Sequence, residues 1–234
     1  MIRLDKFLCD AGCGTRSEVK NYIKKGRVCI NGTPVKSADQ KINESSDLVT
    51  FDGKAIQLVG MVYYMLHKPA GYISATTDTR ELTVLDLLKD APGKDLAPVG
   101  RLDKDTEGLL LITHDGDLAH RLLSPRKHVD KTYLVHTRES VTAEMISQLE
   151  QGLDIGDDKP TLPARAVLLE QEQGLLLTIT EGRFHQVKRM LAAVGNEVIY
   201  LKRLSMGALV LDETLPKGQW RELTLSEKES LGVK

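Results

Sequence analysis

Beyond residue 61 the apolar residues fall in short β-rich runs, near 62–67, 109–113, 132–137, 164–169, 175–180 and 197–201. Between them, 84–88, 116–123, 143–149 and 185–194 have the apolar spacing of helices. Runs of roughly four to eight residues have strand length, so this part of the chain must bury its apolar surface in a sheet with helices packed on it. Adjacent runs on either side of Gln173-Gly174 predict a hairpin, and hence a mixed, largely antiparallel sheet. The residues before 60 read differently. Leu4, Phe7, Leu8 and Ala11 recur at i, i+3, i+4, i+7, and Gly12 with Gly14 end that helix. Thr15 or Ser17 can cap a second helix with Val19, Tyr22 and Ile23 as its stripe and Gly26 as its stop. Val28-Cys29-Ile30 and Pro34-Val35 then flank Asn31-Gly32, the pair favoured where both turn residues need positive φ. The expectation is an α+β protein of two domains: a small helical and β domain at 1–59 and a larger sheet domain at 60–234.

With 234 residues and 41% hydrophobic side chains, the chain can bury a conventional core. No stretch approaches the roughly 18 consecutive apolar residues of a membrane span, and Met1-Ile2-Arg3-Leu4-Asp5-Lys6 lacks the pattern of a signal peptide, so a cytoplasmic protein with no membrane partner is expected. Three cysteines, Cys9, Cys13 and Cys29, cannot all pair, and they lack nearby ligands for zinc. The net charge of -1 does not announce a nucleic-acid partner. Its distribution says more. Arg3, Lys6, Arg16, Lys20, Lys24, Lys25 and Arg27 outnumber Asp5, Asp10 and Glu18 in the first 27 residues. Arg16, Lys20 and Lys24 line up at i, i+4, i+8 on the second helix, a row of cations suited to phosphates.

The most informative stretch is Gly100-Arg101-Leu102-Asp103-Lys104-Asp105-Thr106-Glu107-Gly108, which runs directly into Leu109-Leu110-Leu111-Ile112-Thr113. A polar loop anchored to a buried strand can hold a side chain still, as a catalytic carboxylate requires. The same acids fit the start of a calcium loop, but position twelve of that loop would be His114 rather than a bidentate glutamate. A nuclease with metals on Asp103, Asp105 and Glu107 stays open. In Glu181-Gly182-Arg183-Phe184-His185-Gln186-Val187-Lys188-Arg189-Met190-Leu191, one helical stripe is apolar and another carries His185, Lys188 and Arg189. A cation within about 4 to 6 Å of a carboxylate favours its ionised form. Lys131-Thr132-Tyr133-Leu134-Val135 puts Tyr133 on a strand, where an aromatic is ordinarily core, and His67-Lys68-Pro69-Ala70-Gly71-Tyr72-Ile73-Ser74 reads as a strand end and turn.

The run from Arg3 through Thr15-Arg16-Ser17-Glu18 to Gly26-Arg27-Val28-Cys29-Ile30-Asn31-Gly32 resembles the RNA-binding domain named after a small-subunit ribosomal protein, the S4 type. The segments 67–74, 100–113, 131–133 and 181–190 occur in the order found in the RsuA family of ribosomal RNA pseudouridine synthases, a resemblance that spans nearly the whole chain. It implies the pseudouridine synthase fold and isomerisation of a uridine in ribosomal RNA without a redox, metal or nucleotide cofactor. Asp103 matches the essential aspartate, Tyr133 the tyrosine that packs on the uracil, and Lys188 the cation that pairs with Asp103. Arg101, Arg183, His185 and Arg189 are expected to join the basic residues of the first domain in binding RNA. The form of the 181–190 segment looks closest to members that modify uridine 516 (enterobacterial numbering) of 16S ribosomal RNA, since large-subunit relatives more often carry Arg in place of Lys188. The expected partner is 16S RNA in a partly assembled small subunit, bound by a monomer. The alternatives are a synthase for large-subunit RNA and a noncatalytic RNA-binding assembly factor.

Overall fold

The computed structural model describes residues 1–57, 60–169 and 173–233. The chain forms two compact units, Met1–Val62 with Ala91–Asp95, and Tyr63–Asp90 with Leu96–Lys234.

The first unit contains β1 (Ile2–Arg3), α1 (Leu4–Asp10), α2 (Arg16–Lys24), β2 (Val28–Ile30), β3 (Thr33–Pro34), β4 (Lys41–Ile42), β5 (Val49–Phe51) and β6 (Lys54–Ile56). Thr15 caps α2 in a reciprocal box with Glu18. Strands β3-β2-β5-β6 form one antiparallel sheet, and β1 pairs with β4. Asn31-Gly32 turns with φ of 51° and 80°, and Asp52-Gly53 repeats the device at 50° and 77°. Leu4, Phe7, Leu8, Val19 and Ile23 bury the inner faces of both helices against Val28 and Val49. The predicted helical stripes are therefore the core stripes.

The second unit contains β7 (Tyr63–Lys68), β8 (Ala97–Pro98), β9 (Glu107–Thr113), α3 (Gly116–Leu123), β10 (Lys131–Thr137), α4 (Ala143–Gln151), β11 (Arg165–Leu168), β12 (Gly174–Ile179), α5 (Gln186–Ala193), β13 (Val198–Met206), β14 (Leu209–Val210), β15 (Trp220–Glu222) and α6 (Leu225–Ser230). Its main sheet has the order β11-β12-β10-β13-β9-β7-β15. All its pairings are antiparallel except β9 with β13, so the expected mixed α+β sheet is present. Both faces of β9 are covered, which is why its sequence is a continuous apolar run rather than an alternating one. The predicted strands at 164–169 and 175–180 do pair, although 170–172 of their connection lie outside the described residues. The helix expected at 84–88 is a single tight 3₁₀ segment.

Candidate active site

The loop before β9 is held from beneath by a lysine. Lys68 ends β7 fully buried, and its Nζ donates to the carbonyls of Thr106 at 2.7 Å, Asp103 at 2.9 Å, Pro69 at 3.1 Å and Lys104 at 3.4 Å. The Asp103 carbonyl also accepts from the Thr106 N–H at 3.1 Å, and the ammonium ties all four carbonyls of the loop and its seat to one point. Burial lowers its pKa to about 8, partly offset by the charges of Asp105, Asp103 and Glu107. Ser74 completes the brace: its hydroxyl accepts from the Leu102 N–H and donates to the Leu102 carbonyl, both at 2.9 Å. Gly71 N–H donates to the Lys104 carbonyl at 2.7 Å. The 67–74 segment is thus the seat of the Asp103 loop. Where the loop enters β9, Gly108 has φ +104°, and a Cβ there would lie 2.2 Å from the Arg203 carbonyl oxygen. Only glycine lets β9 come this close to β13 at that point.

The Asp103 side chain faces a cleft of about 60 Å³ bordered by Tyr133, Arg101, Arg183, His185, Gln186 and Lys188. Lys188 Nζ lies 3.3 Å from Asp103 Oδ2 and donates to Asp105 Oδ1 at 2.6 Å. One cation therefore bridges two carboxylates. Burial opposes the charge on Lys188, but the Asp105 hydrogen bond and both carboxylates outweigh it and raise its pKa. The same contact holds the Asp105 carboxyl low against its own desolvation. His185 Nε2 is 3.5 Å from Asp103 Oδ1. His185 precedes α5 in the left-handed region, at φ +48°. Gln186 holds the turn, its Oε1 accepting from Arg183 N–H and its Nε2 donating to Glu181 Oε2, both at 3.0 Å. Tyr133, from β10, is 8% exposed and borders the cleft. Its register opposite Leu177 and Arg203 on the neighbouring strands fixes its place in the sheet.

Other predicted residues are committed elsewhere. Arg183 pairs with Glu181 and Asp157 and donates to the Lys159 and Pro160 carbonyls. Arg189 holds Asp157 at 2.5 Å and the Ile155 carbonyl. These two arginines pin the 155–160 loop. Glu107 pairs with Lys217 at 2.6 Å and accepts from Tyr200 at 2.8 Å; among the described residues, no three His, Cys, Asp or Glu side chains converge as metal ligands. Arg101 is exposed on the cleft rim. In the first unit Lys6, Arg16, Lys20, Lys24 and Lys25 are exposed. Arg3 pairs with Asp5 at 2.9 Å, and Arg27 pairs with Asp52 while lying over the rings of Tyr22 and Phe51 at 4.6 and 4.7 Å. Sequence reading missed Lys68, Ser74 and Gln186. It also missed Phe184, 75% exposed with its ring stacked 3.7 Å from that of His185. All four lie inside the quoted motifs 67–74 and 181–191, where nothing local marks them apart from their neighbours.

Residues 62–193 match the family described as RNA pseudouridylate synthase, and residues 2–49 match the S4 domain. The chain is 49% identical over 97% of its length to an uncharacterized RNA pseudouridine synthase of Bacillus subtilis, covering 96% of that protein. It is 43% identical over 98% of its length to the ribosomal small subunit pseudouridine synthase A of Vibrio cholerae, covering 99% of it. A crystal structure of a pseudouridylate synthase, 38% identical, superimposes with a TM-score of 0.68 over 99% of this chain and 100% of that one. The cleft around Asp103 lies inside the matched segment, and the chain belongs to the RNA pseudouridylate synthase family, as an isomerase of the RsuA type with an S4 domain at its N-terminal end.

Proposed function

We propose that the protein converts one uridine of 16S ribosomal RNA to pseudouridine, at position 516 in enterobacterial numbering, acting as a cytoplasmic monomer on a partly assembled small subunit. The observation that carries this reading is the Asp103 carboxylate, held on a braced loop at the mouth of a cleft and flanked by Lys188 at 3.3 Å and His185 at 3.5 Å. The small-subunit relatives support the choice of RNA.

Isomerisation breaks the bond from ribose C1′ to uracil N1, forms one from C1′ to C5, moves a proton off C5 and places one on N1. A carboxylate near C1′ can drive the first step in two ways. Asp103 can attack C1′ and hold the ribose as an ester while the uracil leaves and turns, or it can take the C2′ proton to give a glycal. Lys188 positions the carboxylate, and Tyr133 offers a ring for the uracil. Extruding a base from folded RNA costs a few kcal/mol, and stacking on an aromatic ring offsets part of it.

Carbodiimide-dependent reverse-transcription stops, mapped after incubation with 16S RNA, its protein-bound particle and large-subunit RNA, test the assignment. The expected result is one new stop at the proposed uridine, stronger on the particle. A stop on large-subunit RNA alone contradicts the target, and no stop on either favours a noncatalytic binding factor.

A further inference from the structure

Beside the Asp103 cleft lies a larger cavity of about 500 Å³, bordered by Arg101, Lys131, Tyr133, Thr180 and Arg203 among others. Two of these are buried cations on neighbouring strands. Lys131 is 7% exposed and Arg203 2%. Arg203 spends its Nε on the Leu109 carbonyl at 2.8 Å, and its Nη2 has no hydrogen-bond partner. Lys131 donates to the Val129 carbonyl at 2.8 Å. The carboxylates close by are already engaged: Asp130 is bound by Arg165, and Glu181 accepts from Arg183, Gln186 and the Leu162 N–H. Buried charges in proteins are ordinarily paired, and two like charges with no free counter-ion are costly. Burial and the neighbouring Arg203 both work against the Lys131 ammonium, and the weaker pull of Asp130 does not make up for them. Exposed Arg101 adds a third cation at the rim. An anion entering the cavity would supply Lys131 and Arg203 with a shared counter-charge.

We propose that Lys131, Arg203 and Arg101 form a subsite for one backbone phosphate of the RNA next to the target nucleotide. The inference rests on the RNA-uridine reading above and deepens it. A phosphate at this place fixes the strand on one side of the extruded nucleotide, so that Tyr133, which borders both cavities, meets the base in one orientation.

The test uses the full chain and an RNA fragment bearing the target uridine. Lys131→Gln is expected to make the dependence of log affinity on log salt shallower by about 0.7, the share of one single-strand phosphate contact, with Lys131→Arg restoring the slope. In wild-type protein, a neutral methylphosphonate placed at one linkage beside the target is expected to raise Kd roughly tenfold, while the same RNA costs Lys131→Gln no further loss. Parallel salt lines for all three proteins, or methylphosphonate penalties that are equal in wild type and Lys131→Gln at every linkage, overturn the subsite. Methylphosphonate scanning of the wild type needs no variant to fold. Pseudouridine formation on the same RNA is read separately: its absence together with an intact salt and linkage effect removes the isomerase reading and leaves the phosphate site standing.

Discussion

Lys68 takes a charge into the interior to hold the backbone of one loop, and its effects are measurable at the residue scale. Lys68→Met leaves the carbonyls of Asp103 and Thr106 without that donor. It is expected to cost about 2 to 4 kcal/mol in chemical denaturation and to lower kcat more than it raises KM, because Asp103 loses its seat. The pH dependence has a definite sign. With a pKa of about 8 in the folded chain, below the roughly 10.4 of a free lysine, the folded state releases this proton first. This group therefore favours folding increasingly as pH rises from about 8 towards about 10, while the neutral amine keeps only two N–H groups for its carbonyls. The rate is expected to fall above pH 8 without a matching fall in thermal midpoint, a limb that Lys68→Met lacks. A flat rate profile up to pH 10 contradicts this role.

At the scale of elements, the β9–β13 crossing and the C-terminal helix make separate predictions. Gly108→Ala combines φ +104° with a Cβ 2.2 Å from a carbonyl oxygen, and should cost more than about 2 kcal/mol in a denaturant titration. Arg221 joins β15 to α6 by binding Asp212 and Glu227, each at 2.8 Å. Hydrogen bonds from Thr214 and Arg221 hold Asp212 at about 2, and Arg221 holds Glu227 at about 2. Carboxyl pKa values below their unfolded value of about 4 give stability that is whole above pH 4 and lost as pH falls through 2. Thermal melts should show that loss, and Arg221→Met should flatten it. Elements were legible where the cause is local: Asn31-Gly32 names its turn and the leucine run of β9 its burial. β15 was not, because Trp220-Arg221-Glu222 becomes a strand only by pairing with Leu66, Met65 and Tyr64, more than 150 positions earlier. The same distance hid Lys68, whose carbonyl partners at Asp103 and Thr106 lie 35 and 38 residues on. It also made Arg183 and Arg189 look free, since Asp157 comes from a distant loop. Asp103, Tyr133 and Lys188 entered the candidate site through the family resemblance, since pattern alone marks a loop carboxylate and a basic helix stripe and reads the tyrosine as core.

For the whole molecule, a net charge of -1 leaves RNA affinity to local cationic surfaces. Arg16, Lys20 and Lys24 are exposed on α2. Replacing all three by alanine is expected to weaken binding and make the salt slope shallower by roughly 2 to 3, while kcat at saturating RNA stays near wild type. An unchanged slope removes α2 from the interface. The central claim is that the carboxylate of Asp103 performs the isomerisation, and release of tritium from RNA labelled at uracil C5 reads that step most directly, because this hydrogen must leave when the new bond forms. Wild-type protein should release one tritium per target site, and Asp103→Asn none, with RNA affinity unchanged within about twofold. Release by Asp103→Asn at the wild-type rate would contradict the account.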